Sequence, residues 1–269
     1  MTTVESAHAG GTATHGIVLA LDGVSVHFGG IAALTDVHLA VDAGDVCGLI
    51  GPNGAGKTTL FDVVSGVRIP DTGRVMLDGS EITRWPAARR ARGGLRRTFQ
   101  RVQTYGWLSI EDNVLAALEW RGGGGGLPAD LLGSPIRRRR ERERRERVAH
   151  VLELCGLTAV ARQPAGSLPM GLARMVELAR AIVDPPRVLL LDEPTSGLGD
   201  TEMTRLGERI RAIQAEESCA VLLVEHDVGF VMEQCDRIVV LNLGEVIAVG
   251  TPKEIQADAG VRTAYLGEQ

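Results

Sequence analysis

Aromatic side chains are scarce: Phe, Tyr and Trp make up only 3% of the 269 residues. A core must therefore be built from Val, Leu, Ile and Ala, and stacking platforms for single-stranded nucleic acid are few. Positive charge is not in excess either. The formal net charge is -5, which argues against nucleic acid as the main partner, because neutralising phosphates takes a basic face or stripe. No apolar run approaches the ~20 residues of a membrane span. The first fifteen residues, MTTVESAHAGGTATH, lack the basic start and apolar middle of a signal peptide, so a cytosolic chain is expected. The four cysteines, Cys47, Cys155, Cys219 and Cys235, form no CxxC and have no histidine at ligand spacing, which argues against a redox or zinc role and favours four small buried hydrophobes. Lysine is as scarce as tyrosine: among 29 basic residues only Lys57 and Lys253 are lysine. One of them sits in the most glycine-rich polar loop of the chain.

What is present begins with residues 1–15, small and polar, which cannot bury enough apolar surface to offset ordering and are expected to be a disordered tail. IVLALDGVSVHF and IAALTDVHLAVDAGDV, over 17–46, alternate apolar and polar residues between Gly-Gly and Asp-Ala-Gly turns, the pattern of antiparallel strands. Val46 to Ile50 is a short apolar run ending in a glycine loop, and TTLFDVVSG (58–66) has helical spacing and a closing glycine. From about 95 to 165 the character is helical: SIED (109–112) has capping-box spacing, Arg121 to Pro135 is a Gly and Pro linker, and IRRRRERERRERVAHVLELCGL (136–157) is a charged helix becoming amphipathic. Its arginines alternate with Glu141, Glu143 and Glu146, which favours a solvated helix laced with i,i+3 and i,i+4 pairs over a nucleic-acid tail. RVLLLD (187–192) and AVLLVE (220–225) are near-continuous apolar runs, as in parallel strands covered on both faces. Helical stretches at 171–184 and 200–217 alternate with them, and 237–242 with 246–249 suit an antiparallel hairpin. The fold expected is α/β: a P-loop core with a mixed, mainly parallel sheet over 16–94 and 166–269, an N-terminal antiparallel β subdomain, and a helical subdomain inserted over 95–165.

The chemistry starts in the loop Gly51, Pro52, Asn53, Gly54, Ala55, Gly56, Lys57, Thr58, which matches G-x-x-x-x-G-K-[ST] between a strand and a helix. Glycines let successive N–H groups turn inward onto phosphates, and the helix adds its positive end. Lys57 can reach the β- and γ-phosphates of a nucleotide, Thr58 can offer its hydroxyl to Mg2+, and Thr59 adds a further nucleotide contact. Asp192 and Glu193 end a buried strand where a core residue would be apolar; Asp192 suits the Mg2+ shell and Glu193 the attacking water. His226 closes the next apolar strand, at the carboxyl edge where parallel sheets place ligands.

These residues resemble, in their order and over about 17–267, the ATP-binding subunit of ABC transporters. The resemblance implies several roles. Thr98-Phe99-Gln100 looks like the Q-loop, which makes Gln100 a contact for Mg2+ and the attacking water and a link to the membrane subunit. Leu168-Pro169-Met170-Gly171-Leu172-Ala173-Arg174 occupies the place of the signature loop, with Met170 and Gly171 offering N–H groups to nucleotide. Ser196-Gly197-Leu198-Gly199-Asp200 matches the D-loop, His226 the switch histidine, and Phe28 the aromatic that stacks on adenine. Two such subunits, in a homo- or heterodimer, would sandwich ATP and drive integral membrane permease subunits from the cytoplasmic face of the membrane.

Three positions depart from the family pattern. Pro169 stands for the signature serine and has neither hydroxyl nor N–H, Leu172 replaces the glutamine, and Gly199 replaces the D-loop acid. Pro169 is expected in the first turn of the following helix, where proline is accommodated, and weakened sandwich contacts are the consequence. RTFQ, VEHDVGFVM and GTPKEIQADAGVRTAYLGE are similar to the ATPases of branched-chain amino acid and urea importers. Lys57 and Leu168 are 111 positions apart, too close for the coiled-coil arm of chromosome-maintenance ATPases. An exporter ATPase and a non-hydrolysing nucleotide module stay open at this level.

Overall fold

The computed structural model describes residues 16–121 and 135–266. The expected tail and most of the Gly and Pro linker lie outside the described residues.

The chain opens with an antiparallel ladder, β1 (Ile17–Phe28) and β2 (Ile31–Asp42), turned at Gly29-Gly30. β3 (Val46–Ile50) leads into α1 (Lys57–Ser65). β4 (Thr72–Leu77) and β5 (Ser80–Glu81) then return to the first ladder, giving a four-stranded antiparallel sheet ordered β2-β1-β4-β5. After α2 (Ala87–Arg92) and β6 (Leu95–Arg97) come α3 (Ile110–Ala116), α4 (Pro135–Leu154) and α5 (Met170–Ile182). β7 (Val188–Asp192), α6 (Asp200–Glu217), β8 (Ala220–Val224), α7 (Val228–Gln234) and the hairpin β9 (Arg237–Asn242) and β10 (Glu245–Gly250) follow. α8 (Pro252–Ala257) and α9 (Ala259–Leu266) end the described chain. The second sheet is ordered β10-β9-β3-β8-β7-β6, parallel except for the edge strand β10.

The apolar runs at 188–192 and 220–224 are continuous because this sheet is covered on both faces. Leu189, Leu191, Val221 and Leu223 point into a core shared with α3 to α7, while Val188, Leu190, Ala220 and Leu222 point into a second core shared with α1 and the antiparallel sheet. Each fully buried Leu there contributes roughly 1.5–3 kcal/mol by leaving water. All four cysteines are buried within these cores, and burial pushes the Cys47 thiol up to about 12.

Leu95–Arg97, placed by pattern at the start of the helical stretch, is a strand instead. It pairs in parallel with β7, Leu95 against Val188 and Arg97 against Leu190, so the large sheet rather than local helix propensity decides it. Half of the expected capping box is present: Ser109 Oγ accepts the Asp112 N–H at 3.0 Å and caps α3, while the Asp112 carboxylate accepts from the Ser109 hydroxyl at 2.6 Å. On α4, Arg139 with Glu143 and Arg145 with Glu141 make i,i+4 ion pairs, the solvated lacing that the alternation implies. Pro169 is not inside the first turn of α5. It is the N-cap, extended at φ −57° and ψ 156°, and its carbonyl accepts the Ala173 N–H at 3.0 Å.

Arg90 is the largest fully buried side chain among the described residues. Its Nη1 donates to the Val63 and Val64 carbonyls at 2.6 and 2.7 Å, its Nη2 to Thr83 O at 2.7 Å and its Nε to Trp85 O at 3.1 Å. The last carbonyls of α1 have no partners inside the helix; the C-cap Gly66 N–H reaches Val63 O at 3.3 Å, and this guanidinium adds donors to Val63 and Val64. Burial lowers its pKa to about 10, still far above neutrality.

Candidate nucleotide site

Strand β3, wholly buried, delivers the glycine loop to the carboxyl edge of the parallel strands, and α1 begins at Lys57 with Gly56 as its N-cap. Two glycines there are dictated by close approach: a Cβ on Gly51 would lie 2.0 Å from Leu241 O, and one on Gly56, at φ +102°, would lie 2.5 Å from Ala33 O. Asn53, Gly54 and Thr58 are exposed, while Pro52 and Ala55 are buried and Thr59 is half-buried. Lys57 is buried, and its Nζ donates to the carbonyls of Gly51 and Pro52 at 2.6 and 2.9 Å, so the ammonium is held against the backbone of its own loop.

Asp192 is the last residue of β7 and Glu193 the first beyond it. Glu193 adopts a left-handed backbone at φ 46° while its N–H still bonds Val224 O at 2.9 Å. For a residue with a Cβ that geometry stores about 1 kcal/mol or more, and it turns the two adjacent carboxylates in different directions. Gln100 Nε2 donates to Glu193 Oε2 at 2.6 Å, and His226 Nε2 lies 2.8 Å from Glu193 Oε1. Three residues spread over 126 positions of sequence are thus one hydrogen-bonded cluster. Asp192 faces elsewhere: its Oδ2 accepts from Arg97 Nη2 at 2.7 Å, and Arg97 Nη1 donates to Asp62 Oδ1 at 2.7 Å and Ser65 Oγ at 2.9 Å on α1. Gln100 is therefore brought to Glu193, and Asp192 to Arg97.

Sequence patterns did not point to Arg97, Arg174, Glu177 or Glu225. Buried Arg174 donates to Phe99 O and Gln100 O at 3.1 and 2.7 Å, and Glu177 accepts the Gln103 N–H at 2.9 Å, so α5 grips the backbone around Gln100. Glu225 accepts the N–H groups of Thr195 and His226 at 2.7 and 3.1 Å. Burial raises the pKa of both Glu177 and Glu225. The one signal in the sequence is the acid that ends the run AVLLVE, next to His226. The remaining sites lie apart from the acids: Phe28 is half exposed with Arg68 stacked 4.0 Å from its ring centroid. Met170 is exposed and Gly171 buried in the first turn of α5, whose N–H groups have no intrahelical acceptor.

A glycine loop and helix N-terminus at one strand end, paired acids at another and a histidine at a third define a nucleotide-hydrolysing P-loop protein of the ATP-binding cassette class. Residues 34–196 match the family described as ABC transporter, and residues 245–269 match one described as branched-chain amino acid ATP-binding cassette transporter. The chain belongs to the ABC transporter family as its ATP-binding subunit, and as such binds ATP and hydrolyses it to power transport. It is 41% identical to the high-affinity branched-chain amino acid transport ATP-binding protein BraF of Pseudomonas aeruginosa, over 93% of this chain and 98% of that protein. LivG of Escherichia coli, of the same description, is 38% identical over 93% and 98%. The lipopolysaccharide export system ATP-binding protein LptB of Acidithiobacillus ferridurans is 38% identical over 87% and 90%. Among solved structures, the ADP conformation of an ATP-binding cassette of an ABC transporter superposes with a TM-score of 0.81 at 29% identity, covering 93% of this chain and 99% of that one.

Proposed function

We propose that this chain energises the import of branched-chain amino acids or related small solutes. The observation carrying that reading is the C-terminal match over 245–269 to the branched-chain family, together with relatives of that description over nearly their whole length. The export-system relative covers less of the chain and makes outward transport the competing outcome of the test.

Within the site, Lys57 and the N–H groups of residues 53–59 bind the phosphates. Arg97 joins Asp192 to Asp62 and Ser65 of α1, the helix whose first turn carries Thr58, and a hydroxyl with a carboxylate is the hard oxygen donor set that a Mg2+ ion takes. Thr58, Asp192 and Gln100 would hold that ion, which when bound supplies charge compensation to the phosphates. Glu193 orients and polarises the attacking water, and Gln100 and His226 fix its two oxygens. Phe28 stacks on the base. Met170 and Gly171 lend N–H groups to nucleotide on a second copy or a related subunit in an ATP sandwich.

Among the described residues no helix is long and apolar enough to cross a membrane, and the branched-chain transporter family match supports integral membrane permease subunits as the partners that carry the solute. A groove lined by Phe99, Gln103, Ala117 and Arg180 beside Gln100 suits a helix from such a subunit, which would hold the chain peripherally at the cytoplasmic face. Reconstituted with its membrane subunits in vesicles, the chain should drive ATP-dependent uptake of labelled leucine, and Lys57→Ala should abolish it together with ATP turnover. Outward movement of a lipid substrate, or turnover persisting in Lys57→Ala, would count against this reading.

A further inference from the structure

Arg97 touches both the strand-end acid and the helix behind the glycine loop. Its side chain is 9% exposed, its guanidinium carbon lies 5.6 and 5.4 Å from the ring centroids of Phe61 and Phe99, and its Nε is buried without a hydrogen-bond partner. It joins Asp192 Oδ2 to Asp62 Oδ1 and Ser65 Oγ. Burying an arginine this way is costly unless charge and geometry are matched, and an apolar side chain would have filled the gap between α1 and β7. What an apolar residue could not do is balance Asp192.

The local charges make that balance matter. Asp192 and Glu193 adjoin one another, Asp62 lies across Arg97, and the triphosphate of ATP adds further negative charge at the start of α1. Glu193 is engaged by Gln100 and His226, and Arg97 is a cation in direct contact with Asp192. Resting on the proposed metal-holding role of Asp192, we infer that Arg97 is a positioning residue of the nucleotide site: it fixes the Asp192 carboxylate against α1 and offsets its charge, so that nucleotide can enter before a divalent cation does. Arg97 also lies three residues before Gln100 on the same strand-to-loop segment, so the backbone that carries Gln100 carries the partner of Asp192 as well.

Loss of Arg97 should therefore hurt metal-free binding selectively, because a divalent cation replaces the missing positive charge and EDTA does not. The measurement is the affinity of a fluorescent ATP analogue, in EDTA and in Mg2+, for the parent chain, Arg97→Met, Arg97→Lys and the double variant Arg97→Met with Asp192→Asn. Arg97→Met should weaken binding in EDTA by about tenfold or more and in Mg2+ by less than about threefold. Arg97→Lys keeps the charge and should stay within about threefold of the parent in both buffers. The double variant removes cation and anion together and should recover the parent's affinity in EDTA. Equal weakening in both buffers, a lysine variant as weak in EDTA as the methionine one, or a double variant that stays weak would overturn the inference. Should Arg97→Met alone fail to fold, the lysine and double variants carry the same comparison. A parent chain that binds ATP in neither buffer would instead overturn the proposed site as a whole, and this inference with it.

Discussion

Gln100 and His226 hold the two oxygens of one carboxylate, Gln100 Nε2 at 2.6 Å from Glu193 Oε2 and His226 Nε2 at 2.8 Å from Glu193 Oε1. Held from both sides, the carboxylate cannot rotate freely, which is what a group that orients water needs. Glu193→Gln should leave ATP affinity intact while lowering turnover by about 100-fold or more, the scale of a lost general base. Phosphate release and ATP-induced dimerisation by size exclusion check it: trapped dimer with little turnover is the expected pair of results, and normal turnover would remove Glu193 from the mechanism.

The ring of Phe28 already carries Arg68 on one face, so an adenine has the other face to stack on. Phe28→Ala should weaken adenine-nucleotide binding by roughly 1–3 kcal/mol, the scale of a base on an aromatic ring, and Phe28→Trp should be mild. Titration with a fluorescent ATP analogue giving one affinity for all three proteins would reduce Phe28 to a partner for Arg68.

Pro169 occupies the N-cap of α5 with the extended backbone that a capping serine also adopts. Pro169→Ser therefore gains a cap acceptor, although the unfolded chain regains freedom, and the net gain in stability should be no more than about 1 kcal/mol. The hydroxyl and N–H it restores should also speed ATP turnover or tighten ATP-driven dimerisation. Unchanged turnover and dimer affinity would show that residue 169 makes no phosphate contact.

Glu225 is buried at the end of β8, and desolvation raises its pKa above the ordinary carboxylate value. A group more basic in the folded than in the unfolded state costs stability when ionised. That cost is complete above the raised folded pKa, shrinks as pH falls from there toward the unfolded value near 4.5, and vanishes below it. Glu225→Gln escapes the cost, so its melting temperature relative to the parent should be most favourable at neutral pH and fall as the medium is acidified through that window. A difference independent of pH would mean that Glu225 stays ionised at no cost.

Arg90→Met should lower stability by about 3 kcal/mol or more, because several buried carbonyls lose their donor at once. Urea unfolding measures it; a loss under about 1 kcal/mol would mean that water reaches the end of α1 and replaces the guanidinium.

Much of this protein was legible in the sequence because local pattern and local chemistry coincide there. The glycine loop fixes a strand on one side and a helix on the other; doubly apolar runs mark β7 and β8; Leu243-Gly244, both at positive φ, close the β9–β10 hairpin. What stayed hidden depends on partners far away in the chain. β4 joins β1 across the entire loop and helix of the nucleotide site, and β6 is a strand because β7 lies beside it. An arginine in LRR, ARR or LAR looks the same in sequence whether it is solvated or buried. Only packing places Arg97 on Asp192, Arg90 on the end of α1 and Arg174 on the backbone of Gln100. The sequence by itself determined which groups could do chemistry, since residue type and short spacing set donors, acceptors and backbone freedom. The tertiary structure decided which of them meet: a hydrogen bond between Gln100 and Glu193, 93 positions apart, exists only once the sheet has fixed the order of its strands.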